Sequence, residues 1–398
     1  MSDFLSRTWA EINLDNLIHN YQQIQALLGD HTNILAVVKA DAYGHGVQYI
    51  APALDKAGAA WFGVSNIEEA LQLRSLKITK PILIFGYTPP EMAKTLADHD
   101  ISQAMFSEEY ARLLSKEAVL HHVQVKIHFK IDTGMSRLGF LLHDPSQTAS
   151  VAGEIASLCT LPGLKTEGIF THFASADYDG DQDGSFTENQ FSLFQAVTEA
   201  LGQRGVVFAI KHCCNSAGTI VFHQMHLDMI RPGIILYGLC PAKELTGRVD
   251  LRPVMELKSV VSMVKTIESG ASVSYGRTYR SDREMKVATI PIGYADGYSR
   301  LLSGKADILI GGKRARVIGR ICMDQMVVDV SDIEDVYEGQ IVTIFGTDKD
   351  ETVTIEEVSA LVGTINYETV CLIGKRVPRV FFEKGKQTGQ INYIYDGR

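Results

Sequence analysis

No two cysteines in this chain are spaced as CxxC, and only six occur in 398 residues. Cys159, Cys213, Cys214, Cys240, Cys322 and Cys371 therefore read as reduced thiols, neither a disulfide framework nor a zinc site. No apolar run approaches the roughly 18 residues that would suggest a membrane span. The start, MSDFLSRTWAEINLDNL, lacks the basic and apolar regions of a secretory signal, so a cytoplasmic protein is expected. Basic residues are not in excess: 38 Lys+Arg stand against 47 Asp+Glu, a formal charge of -9 that argues against nucleic-acid or anionic-membrane partners. There is no GxGxxG and no GxxxxGK[ST], which removes the usual glycine-rich phosphate turns. No metal-ligand cluster is evident. Asp179, Asp181, Asp183 and Gly184 have calcium-loop spacing, but position twelve is Gln190 rather than a bidentate glutamate.

What the chain does have is 45% hydrophobic residues, enough for two full cores, and a regular rhythm of short apolar runs. A helix is expected over 14–28, with Leu14, Leu17, Ile18, Tyr21, Ile24 and Leu28 on one face before Gly29. Strand-like runs follow at 34–39, 61–65, 81–86, 101–106, 123–131, 166–174, 206–216 and 229–238. Helical periodicity lies between most of them, as at 67–76 and 191–205. Eight such alternations predict an α/β fold with an N-terminal (β/α)8 barrel. From Met255 the texture changes to strand runs at 255–267, 285–294, 306–319, 325–330 and 340–346. One helix is expected at 354–363, and a final strand pair at 366–382. The expected division is a barrel domain over 1–245 and a mostly β domain over 246–398.

The most informative stretch is ILAVVKADAYGHG, residues 34–46, in which an apolar run ends on Lys39. Two readings are open on this motif alone. In one the lysine stem snorkels out of the strand end; in the other, burial disfavours the ammonium and leaves a nucleophilic amine. In a (β/α)8 barrel, functional groups gather at the C-terminal strand ends. There the pattern places Lys39, Lys130, Asp132 and Arg137, His172, Asn215 and Ser216, and finally Arg231, Gly233 and Ile234. Five strands each delivering a polar group suggest one pocket.

The stretches AVVKADAYGHG, KIDTGMSRLGF, GIFTHFASAD, CCNSAG, MIRPGIILYG, VSYGRTY, IPIGYADGYSR, GRICMDQMVVDV and INYE closely resemble the alanine racemase family, across both halves of the chain. The resemblance implies a pyridoxal 5′-phosphate enzyme that interconverts L- and D-alanine. Lys39 would carry the cofactor as an imine and serve as base on one face of the substrate. Tyr275 would be the base on the other, assisted by His172 and Arg231. The cofactor would further meet Tyr43, Arg137, Ser216, Arg231, Gly233, Ile234 and Tyr367. The substrate would meet Arg137, Met323, Asp324 and Tyr294, with Tyr367 narrowing the pocket around a methyl group.

Lys130 is open to carbamylation or to pairing with Asp132. The resemblance also implies a homodimer with shared active sites, and a product that feeds bacterial cell-wall synthesis. A racemase for serine or for several amino acids is the nearest alternative. A non-catalytic cofactor-binding protein would resemble a lone barrel, and a barrel-type decarboxylase would place a carboxylate where Arg231 stands.

Overall fold

The computed structural model describes residues 7–177 and 184–395. The chain divides into two compact units. One comprises Leu17–Ala42 and Val47–Arg252; the other comprises Met1–Asn16, Tyr43–Gly46 and Pro253–Arg398.

The first unit is the barrel. Its strands are Asn33–Val37, Trp61–Val64, Ile82–Ile84, Ile101–Met105, Val125–Asp132, Leu164–Phe170, Ile210–His212 and Met229–Ile230. They pair in parallel, in chain order, and the eighth returns to the first through Met229↔Asn33 and Ile230↔Ile34. The seventh and eighth runs join through backbone bonds, Asp228 N–H to Lys211 C=O (3.2 Å) and Arg231 N–H to Cys214 C=O (3.0 Å). Helices such as Ile67–Ser75, Glu108–Leu120, Thr148–Leu158 and Ser185–Gly202 lie between the strands. Strands covered on both faces are buried throughout, as ILI is with apolar residues alone, whereas ISQAM buries Ser102, which donates to Glu167, and Gln103, which donates to Gly86 C=O.

The seventh and eighth strands are shorter than the runs 206–216 and 229–238 suggest. Residues 213–215 are irregular and lead into a six-residue helix at Ser216–Val221, and the eighth run continues as a 3-10 turn at Ile234–Tyr237. The helix expected over 14–28 ends earlier, at Gln25. Asp179, Asp181 and Asp183 lie outside the described residues. Gln190 is no loop ligand: it is buried on the helix Ser185–Gly202, where its amide oxygen accepts from Ala174 N–H at 2.9 Å.

The second unit is built on one long sheet. Its strand order is 263–267, 285–290, 326–329, 313–318, 307–310, 341–348, 255–260, 8–13, 379–383 and 386–391. Within that order only Thr8–Asn13 and Arg379–Glu383 pair in parallel. A cut at 245/246 therefore misplaces the N-terminus. Thr8–Asn13 pairs with Met255–Val260 from Thr8↔Ser259 to Ile12↔Met255, a long-range match that no local pattern announces. The expected strand pair over 366–382 also needs correcting: Asn366–Cys371 is a helix, and the pair consists of 379–383 and 386–391. Among the described residues, no helix is long and apolar enough to cross a membrane.

Candidate active site

Lys39 follows the first barrel strand by two residues and is half-buried. Behind it the backbone turns the unusual way. Ala40, Asp41, Ala42 and Tyr43 all have φ between 53° and 55°, a left-handed turn made without glycine. Each such residue costs roughly 1–2 kcal/mol, so the turn must be held from outside. Ala40 N–H donates to Glu69 at 2.7 Å, Val47 N–H to Asp41 at 2.8 Å, and Ala42 N–H to Val38 C=O at 3.0 Å. Glu69 also accepts from Ser65 N–H at 2.7 Å, which ties the first strand end to the second. Within the other unit, Tyr43 lies 6.2 Å from Tyr367, ring to ring. Arg379 donates to Gly44 C=O at 2.8 Å there. A Cβ on Gly44 would sit 2.4 Å from the Val370 oxygen, so only glycine fits.

The barrel interior carries a surplus of positive charge. Lys130, on the fifth strand, is 4% exposed, and its Nζ lies 5.9 Å from the Phe170 ring centre. Burial, then the neighbouring Arg137 and Arg231, push its amine down to about 8, against a weaker opposing pull from Asp132. Asp132 is committed elsewhere. Its carboxylate accepts from the N–H groups of Gly134 (3.1 Å), Ser136 (2.9 Å) and Arg137 (3.0 Å), shaping the loop that presents Arg137. Burial would raise this carboxyl, but those donors and His143 hold it below the usual aspartate value.

Arg231 is buried, and burial lowers it to about 10. It donates to Thr171 C=O (2.8 Å), Cys213 C=O (2.9 Å), His212 Nδ1 (2.9 Å) and His172 Nδ1 (3.3 Å). Its guanidinium carbon lies 5.4 Å from the Phe170 ring centre. Among the described residues, no carboxylate lies within ion-pair distance of it. The two Nη2 protons go to the Thr171 and Cys213 carbonyls, and His172 Nδ1 is the longest of the three neighbours of that nitrogen. Burial and then Arg231 hold His172 well below the ordinary imidazole value, so it is neutral.

Ser216 Oγ accepts from Gly233 N–H at 2.9 Å, leaving its own hydroxyl proton free to turn. Asn215 caps the following helix through Gly218 N–H at 2.9 Å, and Ile234 begins the 3-10 turn after Gly233. Cys213 and Cys214 are buried, and both thiols point at Met225 C=O, so they are packing groups. All six cysteines are thiols, none of them part of a disulfide.

Arg137, Arg231 and Lys39 all lie close enough to Lys130 to oppose its charge, and the nearby Asp132 carboxylate accepts from three backbone N–H groups. Such a set suits a ligand with several negative charges and a carbonyl that an amine can attack. A phosphate-bearing aldehyde fits it.

The remaining expected residues lie in the second unit, on three joined turns. Tyr275 is 71% exposed; beside it Ser274 Oγ donates to Arg320 C=O at 2.5 Å. The Tyr294 turn rests on the 322–323 backbone, Tyr294 N–H to Cys322 C=O (3.1 Å) and Ala295 N–H to Met323 C=O (3.0 Å). Asp324 accepts from Arg376 at 2.7 Å. Buried Asp296 supports the Tyr294 turn through Gly293 N–H (3.0 Å) and Arg7 (2.6 Å).

Three residues that the sequence reading missed extend the Arg231 network: His212, His128 and Glu167. His212 Nε2 lies 3.0 Å from His128 Nδ1, and His128 Nε2 lies 3.2 Å from Glu167. The one available signal was the alternation of His128, Lys130 and Asp132 on a single strand face.

Fold and site together define a barrel-plus-β-domain enzyme built around a strand-end lysine in a cationic pocket. Residues 12–241 match the family model "Alanine racemase, N-terminal domain" and residues 254–381 match "Alanine racemase, C-terminal domain". The chain is 44% identical to the alanine racemase of Clostridium tetani, over 99% of this chain and 100% of that one. It is 45% identical to that of Desulfovibrio desulfuricans, over 96% and 100%. It superposes on the alanine racemase structure of Clostridium difficile 630 with a TM-score of 0.92 at 38% identity, covering 99% and 100% of the two chains. The Bacillus anthracis alanine racemase with bound L-Ala-P gives 0.92 at 35%, again covering 99% and 100%. The chain belongs to the alanine racemase family and is an amino-acid racemase.

Proposed function

We propose that this protein interconverts L- and D-alanine with pyridoxal 5′-phosphate, using Lys39 and Tyr275 as bases on opposite faces of the substrate. The observation that carries this reading is the gathering of Arg137, Arg231 and Lys39 around buried Lys130 at the barrel strand ends. Lys39 would hold the cofactor aldehyde. Ser216, Gly233, Ile234 and Tyr43 would hold its phosphate, as hydroxyl and N–H donors suit a dianion. Arg231 would donate to the ring nitrogen and Arg137 to the phenolic oxygen and the substrate carboxylate. When bound, the cofactor supplies an electron sink that acidifies the Cα–H of the amino acid.

The chain's own groups then handle the proton. Lys39 takes or returns it at Cα on one face, as a neutral amine in a desolvated site. Tyr275 does so on the other. The phenol needs a partner to give up its proton, and His172, held neutral by burial and Arg231, would donate to the phenolate. Arg231, with no carboxylate beside it, would leave the ring nitrogen unprotonated and limit competing reactions. The Met323 backbone amide, Asp324 and Tyr294 would receive the substrate, and Tyr367 would favour a methyl over a larger side chain. Lys130, an amine lowered to about 8, is suited to carbamylation, which would give Arg137 an anionic neighbour.

Tyr275, Tyr294 and Met323 are all exposed in the single chain (71%, 42% and 52%), an apolar and aromatic set that a second copy would cover. We place Tyr275, Met323 and Asp324 in the active site of the partner in a homodimer. The reduced thiols fit the cytoplasm, where D-alanine would supply peptidoglycan synthesis.

The test mixes two inactive chains, Lys39→Ala and Tyr275→Ala, under subunit-exchange conditions and follows D-alanine by chiral chromatography. Partial recovery is expected, because hybrid dimers hold one intact site. Complete absence of recovery after verified exchange refutes the shared two-base site.

A further inference from the structure

Arg231 is a buried cation whose fourth acceptor is not a carboxylate but the end of a chain of side chains. Arg231 Nη1 meets His212 Nδ1 at 2.9 Å, His212 Nε2 meets His128 Nδ1 at 3.0 Å, and His128 Nε2 meets Glu167 at 3.2 Å. Ser102 Oγ donates to the same Glu167 oxygen at 2.7 Å. The direction of every bond follows from its two ends. A guanidinium only donates and a carboxylate only accepts. His212 must therefore accept at Nδ1 and donate from Nε2, and His128 must do the same. A second proton on either ring would set two N–H groups against each other.

The fold makes room for this chain specifically. Glu167 is the extra residue of a bulge between the fifth and sixth strands, where the register passes from Ile127↔Thr166 to His128↔Gly168. Bulges re-aim side chains. A Cβ on Gly168 would fall 2.4 Å from His128 Nδ1, so glycine is what admits the ring. His212 stacks on Phe170 at 4.8 Å, and Trp61 meets His128 edge-on at 5.4 Å. Both imidazoles are fully buried, whereas the Glu167 side chain is 19% exposed.

We propose that Glu167 and His128, acting through His212, are positioning residues that fix the Arg231 guanidinium from within the barrel. Glu167 holds both imidazoles in the Nε2–H tautomer, and that tautomer alone leaves His212 Nδ1 as an acceptor for Arg231 Nη1. Without the carboxylate, His128 keeps a buried unpaired N–H. Reversing the whole chain instead turns His212 Nδ1–H against the guanidinium. Either outcome loosens the group assigned to the cofactor's ring nitrogen, and to that extent the inference rests on the proposed function.

The test compares the native protein with Glu167→Gln, whose amide oxygen can still accept, and Glu167→Leu, which cannot. Nitrogen-15 spectra of histidine-labelled, cofactor-free protein report the tautomers directly. His128 and His212 are expected as neutral Nε2–H rings in the native protein and in E167Q, with Nδ1–H signal arising in E167L. In the loaded enzyme, E167L should lose about 10-fold or more in kcat, the scale of a lost hydrogen bond to a charged group. KM should change by less than about twofold, as expected when a positioned group and not binding is disturbed, and E167Q should restore most of the rate. Protonated or Nδ1–H rings in the native protein overturn the proposal, as does an E167L enzyme with native spectra or native kcat. If E167L does not fold, the native spectra alone decide. A failure of the racemase reading would appear differently, as no turnover in the native protein whatever its tautomers.

Discussion

Replacing Lys130 by methionine should make the cofactor-free protein more stable at neutral pH. The amine ionises near 10.5 in the open chain and at about 8 in the fold, because burial and the guanidinium groups of Arg137 and Arg231 oppose its charge. At about 1.4 kcal/mol per pH unit of difference, the folded state carries a penalty of about 3 kcal/mol wherever both states are protonated, below pH 8. Between about 8 and 10.5 the unfolded chain still binds a proton that the fold has shed. Native stability therefore rises with pH across this window and levels off above it. Methionine has nearly the same length and no charge, so Lys130→Met should gain up to about 3 kcal/mol at pH 7. That gain should fade towards pH 10.5. Urea unfolding of both proteins in CO2-free buffer from pH 6.5 to 10.5 measures the difference. Added bicarbonate should narrow it from the native side, because a carbamate converts the misplaced cation into a partner for Arg137. A difference that is flat with pH, or a methionine variant less stable at pH 7, refutes the argument.

Other outcomes follow from single observations. Ala40 is exposed at φ 53°, so Ala40→Gly should stabilise by up to about 1 kcal/mol once chain entropy is subtracted; denaturant unfolding that shows a loss would contradict the left-handed turn. Gly168→Ala should destabilise by about 1–3 kcal/mol through the clash with His128, and a neutral effect on the melting temperature would dismiss that contact. Tyr367→Ser should admit serine, shifting the alanine-to-serine ratio of kcat/KM by about 10–200-fold, while an unchanged ratio would remove Tyr367 from the selectivity.

The barrel strands were legible because strands buried on both faces are written largely in apolar residues, and the polar groups at their ends stand out against them. What escaped notice had no local signal. Thr8–Asn13 gives a short alternating pattern that could join either sheet, and its choice rests on partners some 250 residues away, such as Ser259. The left-handed turn carries Ala40, Asp41 and Ala42, where a conformational reading expects glycine; Glu69, remote in sequence, supplies a bond that holds it. Asn366–Cys371 merged into the strand run that follows, since NYETVC has no helical stripe long enough to stand out. The Glu167 relay depends on a bulge, and a bulge is a relation between two strands.

Borohydride reduction of the loaded protein followed by peptide mapping tests the central claim most directly, because two lysine amines compete for one aldehyde. The account predicts a single pyridoxyl group on Lys39. A label on Lys130, or no label on a protein that racemises alanine, would contradict it.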